Sequence, residues 1–227
     1  MQVFCDFDGT ISIEDATDMV LSRFAGSEWE DIEQQWKQGL IGSAECMRRQ
    51  IGLVKASRAD LDALLNSVSI DPGFQDFLSY CNQSDLPVTI VSDGVDYFIR
   101  HILARHGIDD LPIIANILTH RFVHGRESYS LSPSSTTAGC MSGSGVCKCL
   151  VVNSAGLQIY IGDGRSDFCV ADKVDLVFAK DKLADYCVDR GIPFVGFEDF
   201  TDLLPKMKAI LPSAARGHRA LLHSKIA

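Results

Sequence analysis

Three short apolar runs in this chain each stop on carboxylate or hydroxyl side chains. Val3 to Phe7, with Asp6 inside it, gives way to Asp8-Gly9-Thr10, Pro87 to Val91 to Ser92-Asp93-Gly94, and Gln158 to Gly162 to Asp163-Gly164-Arg165-Ser166-Asp167. Short continuous apolar runs bounded by turn residues read as strands buried on both faces, the habit of a parallel sheet. Every strand of a parallel sheet ends at one edge. Polar residues far apart in sequence therefore meet there, in the crevice where open α/β sheets hold ligands.

The rest of the pattern agrees with that edge. Helical spacing on Phe74, Phe77, Leu78 and Cys81 precedes the second run, and a helix on Phe98, Ile102 and Leu103 follows it and stops at Gly107. Leu176 to Ala179 and Phe194 to Gly196 supply further strands, and Ile113 to Ile117 and Arg121 to His124 read as two short ones. Residues 128–145, rich in Ser, Thr and Gly, read as an ordered loop. The fold class is α/β, a Rossmann-like open parallel sheet. Between the first strand and Asp71-Pro72-Gly73 the texture is helical, on Met19, Val20, Phe24, Ile32, Leu53, Leu61, Leu64 and Leu65. The expected division is a core of residues 1–13 and 71–227 with a small helical insertion over 14–70. Trp29 and Trp36, seven apart, read as helical core within that insertion.

Composition narrows the function. With 21 Lys+Arg against 30 Asp+Glu the formal charge is −9, which disfavours a surface built to neutralise nucleic-acid phosphates. Met1-Gln2 runs straight into the first strand, with no basic segment and apolar stretch ahead of it, and no apolar run approaches the roughly 18 residues of a membrane span. The expectation is a cytoplasmic protein whose eight cysteines are mostly reduced. Cys140, Cys147 and Cys149 lie close in sequence, but at a spacing that is not a standard zinc pattern, so loop packing is the favoured reading. No Ser, Cys or His sits in a nucleophile elbow or triad pattern. The basic tail around Arg216, His218, Arg219, His223 and Lys225 carries no assigned function.

Taken singly, an Asp after a strand is a turn or cap residue. Taken together, Asp6, Asp8, Asp163 and Asp167 would place four carboxylates in one crevice, tolerable only with a cation. All-oxygen ligation points to Mg²⁺.

The ordered set Asp6-Phe-Asp-Gly-Thr10, Ser92, Lys148 and Gly162-Asp-Gly-Arg-Ser-Asp167 resembles the four motifs of the haloacid dehalogenase superfamily of phosphatases and phosphotransferases. That resemblance covers about residues 3 to 210 and implies roles. Asp6 would be the nucleophile and form an aspartyl-phosphate, and Asp8 would protonate the leaving alkoxide and then activate water. Thr10, Ser92, the Gly94 backbone and Lys148 would hold the phosphate. Mg²⁺ would be bound by Asp6, the Asp8 carbonyl and Asp163, with Asp167 binding it through water or anchoring Lys148.

The insertion resembles the helical cap of the phosphoserine-phosphatase-like branch, where a lid contacts the part of the substrate that is not phosphate. In that branch a Glu and an Arg hold the amino-acid group. The corresponding positions here are Asp15 and Gln50, one residue past Arg49. Other segments, among them Asp71-Pro-Gly-Phe, Asp96-Tyr-Phe-Ile and Leu176-Val-Phe-Ala-Lys, are similar to the methionine-salvage phosphatases acting on 2-hydroxy-3-keto-5-methylthiopentenyl-1-phosphate. The chain departs from them at Asp93, where Gly is usual, at Cys149, where Pro is usual, and in the short Lys148 to Asp163 segment. The expectation is a Mg²⁺-dependent phosphomonoesterase acting on a small phosphorylated metabolite. The alternatives are a phosphoserine phosphatase, a phosphotransferase of the same fold, or a non-catalytic phospho-ligand-binding protein.

Overall fold

The apolar runs form the strands expected of them. The structure, a computed structural model, describes residues 1–123, 125–136, 143–152 and 156–224. Its strands are β1 (Gln2–Cys5), β2 (Val88–Val95), β3 (Ile113–Val123), β4 (Arg126–Ser132), β5 (Gln158–Gly162), β6 (Leu176–Ala179) and β7 (Val195–Gly196). They make one sheet in the order β4-β3-β2-β1-β5-β6-β7, parallel except for the β3–β4 pair. β1 is central: Val3 pairs with Val88 on one side and Ile159 on the other. The period of two then divides the core. Val3, Cys5, Ile90, Ile159 and Ile161 enter one apolar layer, and Phe4, Val91, Tyr160 and Val177 the other.

The insertion holds α1 (Ala16–Phe24), α2 (Glu28–Lys37), α3 (Ser43–Ile51) and α4 (Arg58–Leu65). Asp15 caps α1 by accepting from the Asp18 amide at 2.9 Å, and Ser57 with Asp60 closes a capping box on α4. Val20, Leu21, Ile51, Leu61 and Leu65 join the first apolar layer, so the insertion is packed onto the core. The remaining helices are α5 (Phe74–Gln83), α6 (Asp96–Arg105), the single turn α7 (Lys148–Val151), α8 (Asp181–Arg190) and α9 (Phe200–Ser224). Among the described residues no helix is long and apolar enough to cross a membrane.

Three expectations change. The segments around Ile113 and Arg121 are one strand, β3, and residues 128–132 of the expected loop belong to its antiparallel partner β4. Their alternation is real, with Tyr129 and Leu131 buried between serines, but a Ser-rich strand presents the composition of a loop. The Tyr129 hydroxyl donates to the Ala56 carbonyl at 3.0 Å, so this hairpin props the insertion from below. Trp36 also departs from its expectation: Trp29 packs against the core, whereas Trp36 lines the pocket under the insertion.

Candidate active site

Because β1 lies between β2 and β5 and runs parallel to both, Asp6, Ser92 and Asp163 emerge at the same edge. Asp6 extends the ladder by donating its amide to the Ile161 carbonyl at 2.9 Å. Its carboxylate accepts from the Phe7 amide at 2.8 Å and from Lys148 Nζ at 2.7 Å. Lys148, at the first position of α7, is fully buried and also donates to Asp167 at 2.5 Å and Ser166 Oγ at 2.9 Å. Asp167 is a heavily used acceptor: besides Lys148 it takes the Tyr160 hydroxyl at 2.5 Å and the amides of Asp163 and Gly164 at 3.1 and 2.9 Å. A carboxylate has about four lone-pair positions, and here all are occupied. Asp167 therefore anchors Lys148.

Thr10, expected at the phosphate, has a different partner. Its hydroxyl donates to Asp163 Oδ1 at 2.6 Å and its amide to the Phe7 carbonyl at 3.2 Å, so it orients a carboxylate. Asp8 has its own partners: one oxygen accepts from the Ala16 amide at 2.9 Å at the start of α1, and the other faces Gly94. A β-carbon on Gly94 would lie 2.4 Å from that oxygen and 3.0 Å from Ser92 Oγ, so only glycine fits between them. Ser92 Oγ accepts from the Gly94 amide at 2.9 Å, leaving its own proton to donate.

Charge is unbalanced at this edge. Asp6, Asp163 and Asp167 offer carboxylate oxygens within 4.8 Å of one another, against one ammonium. Burial alone would lower the Lys148 pKa, but Asp167 and Asp6 outweigh it and hold the ammonium above its ordinary range. Burial, and then the Asp167 charge, push Asp6 well above the usual carboxylate range despite Lys148. The same two causes push Asp163 up to about 6. Burial and the neighbouring Asp15 raise Asp8, with the Ala16 amide opposing. Hard oxygen donors with a deficit of positive charge fit a small divalent cation. Since the oxygens of Asp167 are already engaged, the carboxylates of Asp6 and Asp163 are the ones free to hold it.

Above these groups lies a cavity of about 660 Å³, walled on its far side by the insertion. Gln50 is buried in that wall, donating to Glu33 at 3.0 Å and the Trp29 carbonyl at 3.4 Å. Arg49 turns away to Gln35 at 2.9 Å, so Gln50 holds the position facing the pocket. The hydroxyl of Thr17 is buried in the same wall with no protein partner among the described residues. The Arg165 guanidinium lies 5.6 Å over the Trp36 ring, joining the strand-end loop to α2.

Sequence reasoning missed Tyr160, Ser166, Thr17 and the Trp36–Arg165 pair. Tyr160 sits in an apolar run where nothing marks its hydroxyl for a carboxylate. Trp36, in contrast, has a legible signal in the polar residues around it in Gln34-Gln35-Trp36-Lys37-Gln38. Cys147 and Cys149 approach to 3.1 Å between sulfurs, and Cys140 lies outside the described residues. Burial and Cys147 push the Cys149 thiol up to about 12, as suits packing more than ligation.

The sequence profile described as Putative Phosphatase matches residues 1–185. A protein of Brevibacillus brevis named 2-hydroxy-3-keto-5-methylthiopentenyl-1-phosphate phosphatase is 31% identical over 208 residues, spanning 89% of this chain and 92% of its own. One of the same name from Geobacillus thermodenitrificans is 27% identical over 215 residues, 92% of this chain and 96% of its own. Among solved structures, a phospho-aspartyl intermediate analogue of phosphoserine phosphatase superposes with a TM-score of 0.67 at 17% identity, over 92% of this chain and 97% of the other.

Proposed function

Since the chain belongs to the Putative Phosphatase family, with the haloacid dehalogenase fold, and is a phosphatase, we propose that it hydrolyses a small phosphomonoester with Mg²⁺ through an aspartyl-phosphate on Asp6. The observation that carries this reading is the Asp6–Lys148–Asp167 chain, in which an anchored ammonium fixes one oxygen of a buried carboxylate. The Asp6 carboxylate attacks phosphorus and the ester oxygen leaves. Asp8, whose proton is held more firmly because burial and the neighbouring Asp15 disfavour its charged form, gives that proton to the leaving alkoxide. The resulting Asp8 carboxylate then takes a proton from the water that cleaves the aspartyl-phosphate. Ser92 Oγ, whose proton is left to donate because the Gly94 amide bonds to that oxygen, and the charge of Lys148 stabilise the transferring phosphoryl oxygens. Thr10 orients Asp163. Asp6, Asp163 and the Asp8 carbonyl would hold Mg²⁺, which would lower the repulsion between carboxylate and phosphate.

Residues 14–70 act in this reading as a lid on a core of 1–13 and 71–227, and the lid's inner wall selects the substrate. With Gln50 where a guanidinium would grip a carboxylate, phosphoserine lacks its bidentate partner from α3. The names of the relatives favour a methionine-salvage 1-phosphate, whose keto and hydroxyl oxygens would suit Gln50 and the unpartnered Thr17 hydroxyl. The test is phosphate release from an aryl phosphate and from a panel of phosphorylated metabolites that includes phosphoserine, with and without Mg²⁺. Turnover is expected to require Mg²⁺ and to vanish in Asp6→Asn. Wild-type turnover by Asp6→Asn would overturn the nucleophile.

A further inference from the structure

Asp93 stands one residue past Ser92, where β2 loses its regular register against β3 between Val91 and Val95. Its carboxylate gathers donors from three separate parts of the chain. Oδ1 accepts from the amides of Gly145 and Val146, both at 3.1 Å, and from Asn116 Nδ2 at 3.2 Å. Oδ2 accepts from Ser43 Oγ at 2.5 Å, at the first residue of α3. The two amides lie two and three residues before Lys148. The serine opens the helix that carries Cys46, Met47 and Gln50 into the pocket wall. Beside this bond the Ala44 amide donates to the Gly143 carbonyl at 2.9 Å, and Gly42 sits so near Gly143 that a β-carbon there would lie 3.0 Å from the same carbonyl.

We propose that Asp93 is a positioning residue that couples the seating of the helical insertion over the pocket to the placement of Lys148. One carboxylate spans two things that must be in register when a substrate is enclosed: the wall that meets its non-phosphate end and the ammonium that meets its phosphate end. When Ser43 swings away, Asp93 loses one of its four donors and becomes open to water, and its hold on the Gly145 and Val146 amides weakens with it. A lid that opens for product release therefore relaxes the segment leading to Lys148, and a lid that closes restores it. The Asn116 side chain, which also donates to the Asp93 carbonyl at 2.6 Å, keeps the residue from following the lid. This coupling rests on the assignment of Lys148 to the phosphate site, but its first test does not depend on turnover.

That test is hydrogen exchange on the intact protein and on Ser43→Ala, read separately over residues 39–51 and 143–150. Because hydrogen bonds to charged groups are the strong ones, protection is expected to fall about tenfold in both segments. Loosening of 39–51 alone, with the 143–150 amides as protected as in the wild type, would overturn the coupling. Kinetics supply the second measurement. Ser43→Ala should raise KM several-fold with a smaller change in kcat, because it loosens the wall before the chemistry. Asp93→Ala should lower kcat as well, by about tenfold or more. Asp93→Asn keeps an oxygen for the two amides and should restore most of kcat without restoring KM, a split that general unfolding would not produce. If Asp93→Ala and the double variant Ser43→Ala/Asp93→Ala differ by the full Ser43→Ala effect, the two sites are independent and the proposal fails. If the wild type lacks phosphatase activity altogether, the functional assignment fails while the exchange result still decides the coupling.

Discussion

Lys148→Met isolates what the buried ammonium contributes to the fold. The two side chains are similar in length, so the change removes charge and donors with little change in volume. Lys148 is fully buried and donates to Asp6, Asp167 and Ser166. Removing one partner of a buried ion pair costs about 3–5 kcal/mol, because the other charge is left uncompensated. Here the two abandoned carboxylates are not equal. Asp167 keeps the Tyr160 hydroxyl and the Asp163 and Gly164 amides, whereas Asp6 keeps only the Phe7 amide. The penalty falls chiefly on Asp6, which places the expected loss near the lower end, about 3 kcal/mol. At about 2–4 °C per kcal/mol for a chain of this size, Tm should drop by roughly 6–12 °C in metal-free buffer at pH 8.

The deficit has a required sign with pH. A buried carboxylate whose folded pKa is raised holds its proton in the folded state after the unfolded chain has lost it. Stability is then intact below the unfolded value, near 4, and is lost as pH rises through the folded one. Removing Lys148 raises Asp6 further, so the variant should lie closer to the wild type at pH 5 than at pH 8. Circular dichroism melts at both pH values, with metal chelated, measure this directly. Equal melting of variant and wild type at pH 8, or a deficit that grows on acidification, would refute the reasoning.

Two further outcomes follow from the same accounting. In the metal-free wild type, Asp163 is raised to about 6 and Asp6 and Asp8 also stand above their ordinary values, so melting temperature should fall as pH rises from about 4 through 6 and beyond. Mg²⁺ should raise it most at the alkaline end, where those carboxylates are ionised, and a Mg²⁺ effect independent of pH would contradict the cation site. In the pocket wall, Gln50→Ala should change KM by roughly two- to tenfold, the worth of a neutral hydrogen bond, and shift the ranking of substrates in the metabolite panel. Arg49→Ala, whose guanidinium faces Gln35, should leave the ranking as it is; the reverse result would mean that Arg49 turns into the pocket when substrate is present.

The division between what the sequence discloses and what it conceals follows a physical line. The edge of the sheet was legible because buried parallel strands must be apolar and must end together, so the residues that break each run are bound to meet. That reasoning places Asp6, Ser92 and Asp163 without any knowledge of contacts. The Ser-rich strand β4 escaped it because its alternation is written in serines, and composition spoke louder than period. Roles inside the crevice escaped for a different reason. Which oxygen receives which proton is settled by donors from elements with no sequence relation to the motif, and no local pattern records them.

Asp167 and Thr10 show how much that matters. Both belong to the expected set, both are buried at the expected edge, and the same type of counting bears on each: it favours the second of the two roles expected of Asp167, the anchoring of Lys148, and gives Thr10 a carboxylate partner. Asp167 has four donors on its two oxygens and so has no direct lone pair for a cation. Thr10 has spent its hydroxyl proton on Asp163 and its amide on the Phe7 carbonyl, and so has no donor for a phosphate oxygen. Asp93 is the converse, a residue outside the expected set whose carboxylate collects more separate parts of the chain than Asp6 does. A strand-end carboxylate is therefore assigned by the donors it has already accepted. Those with free lone pairs face the chemistry, and those without hold the others in place.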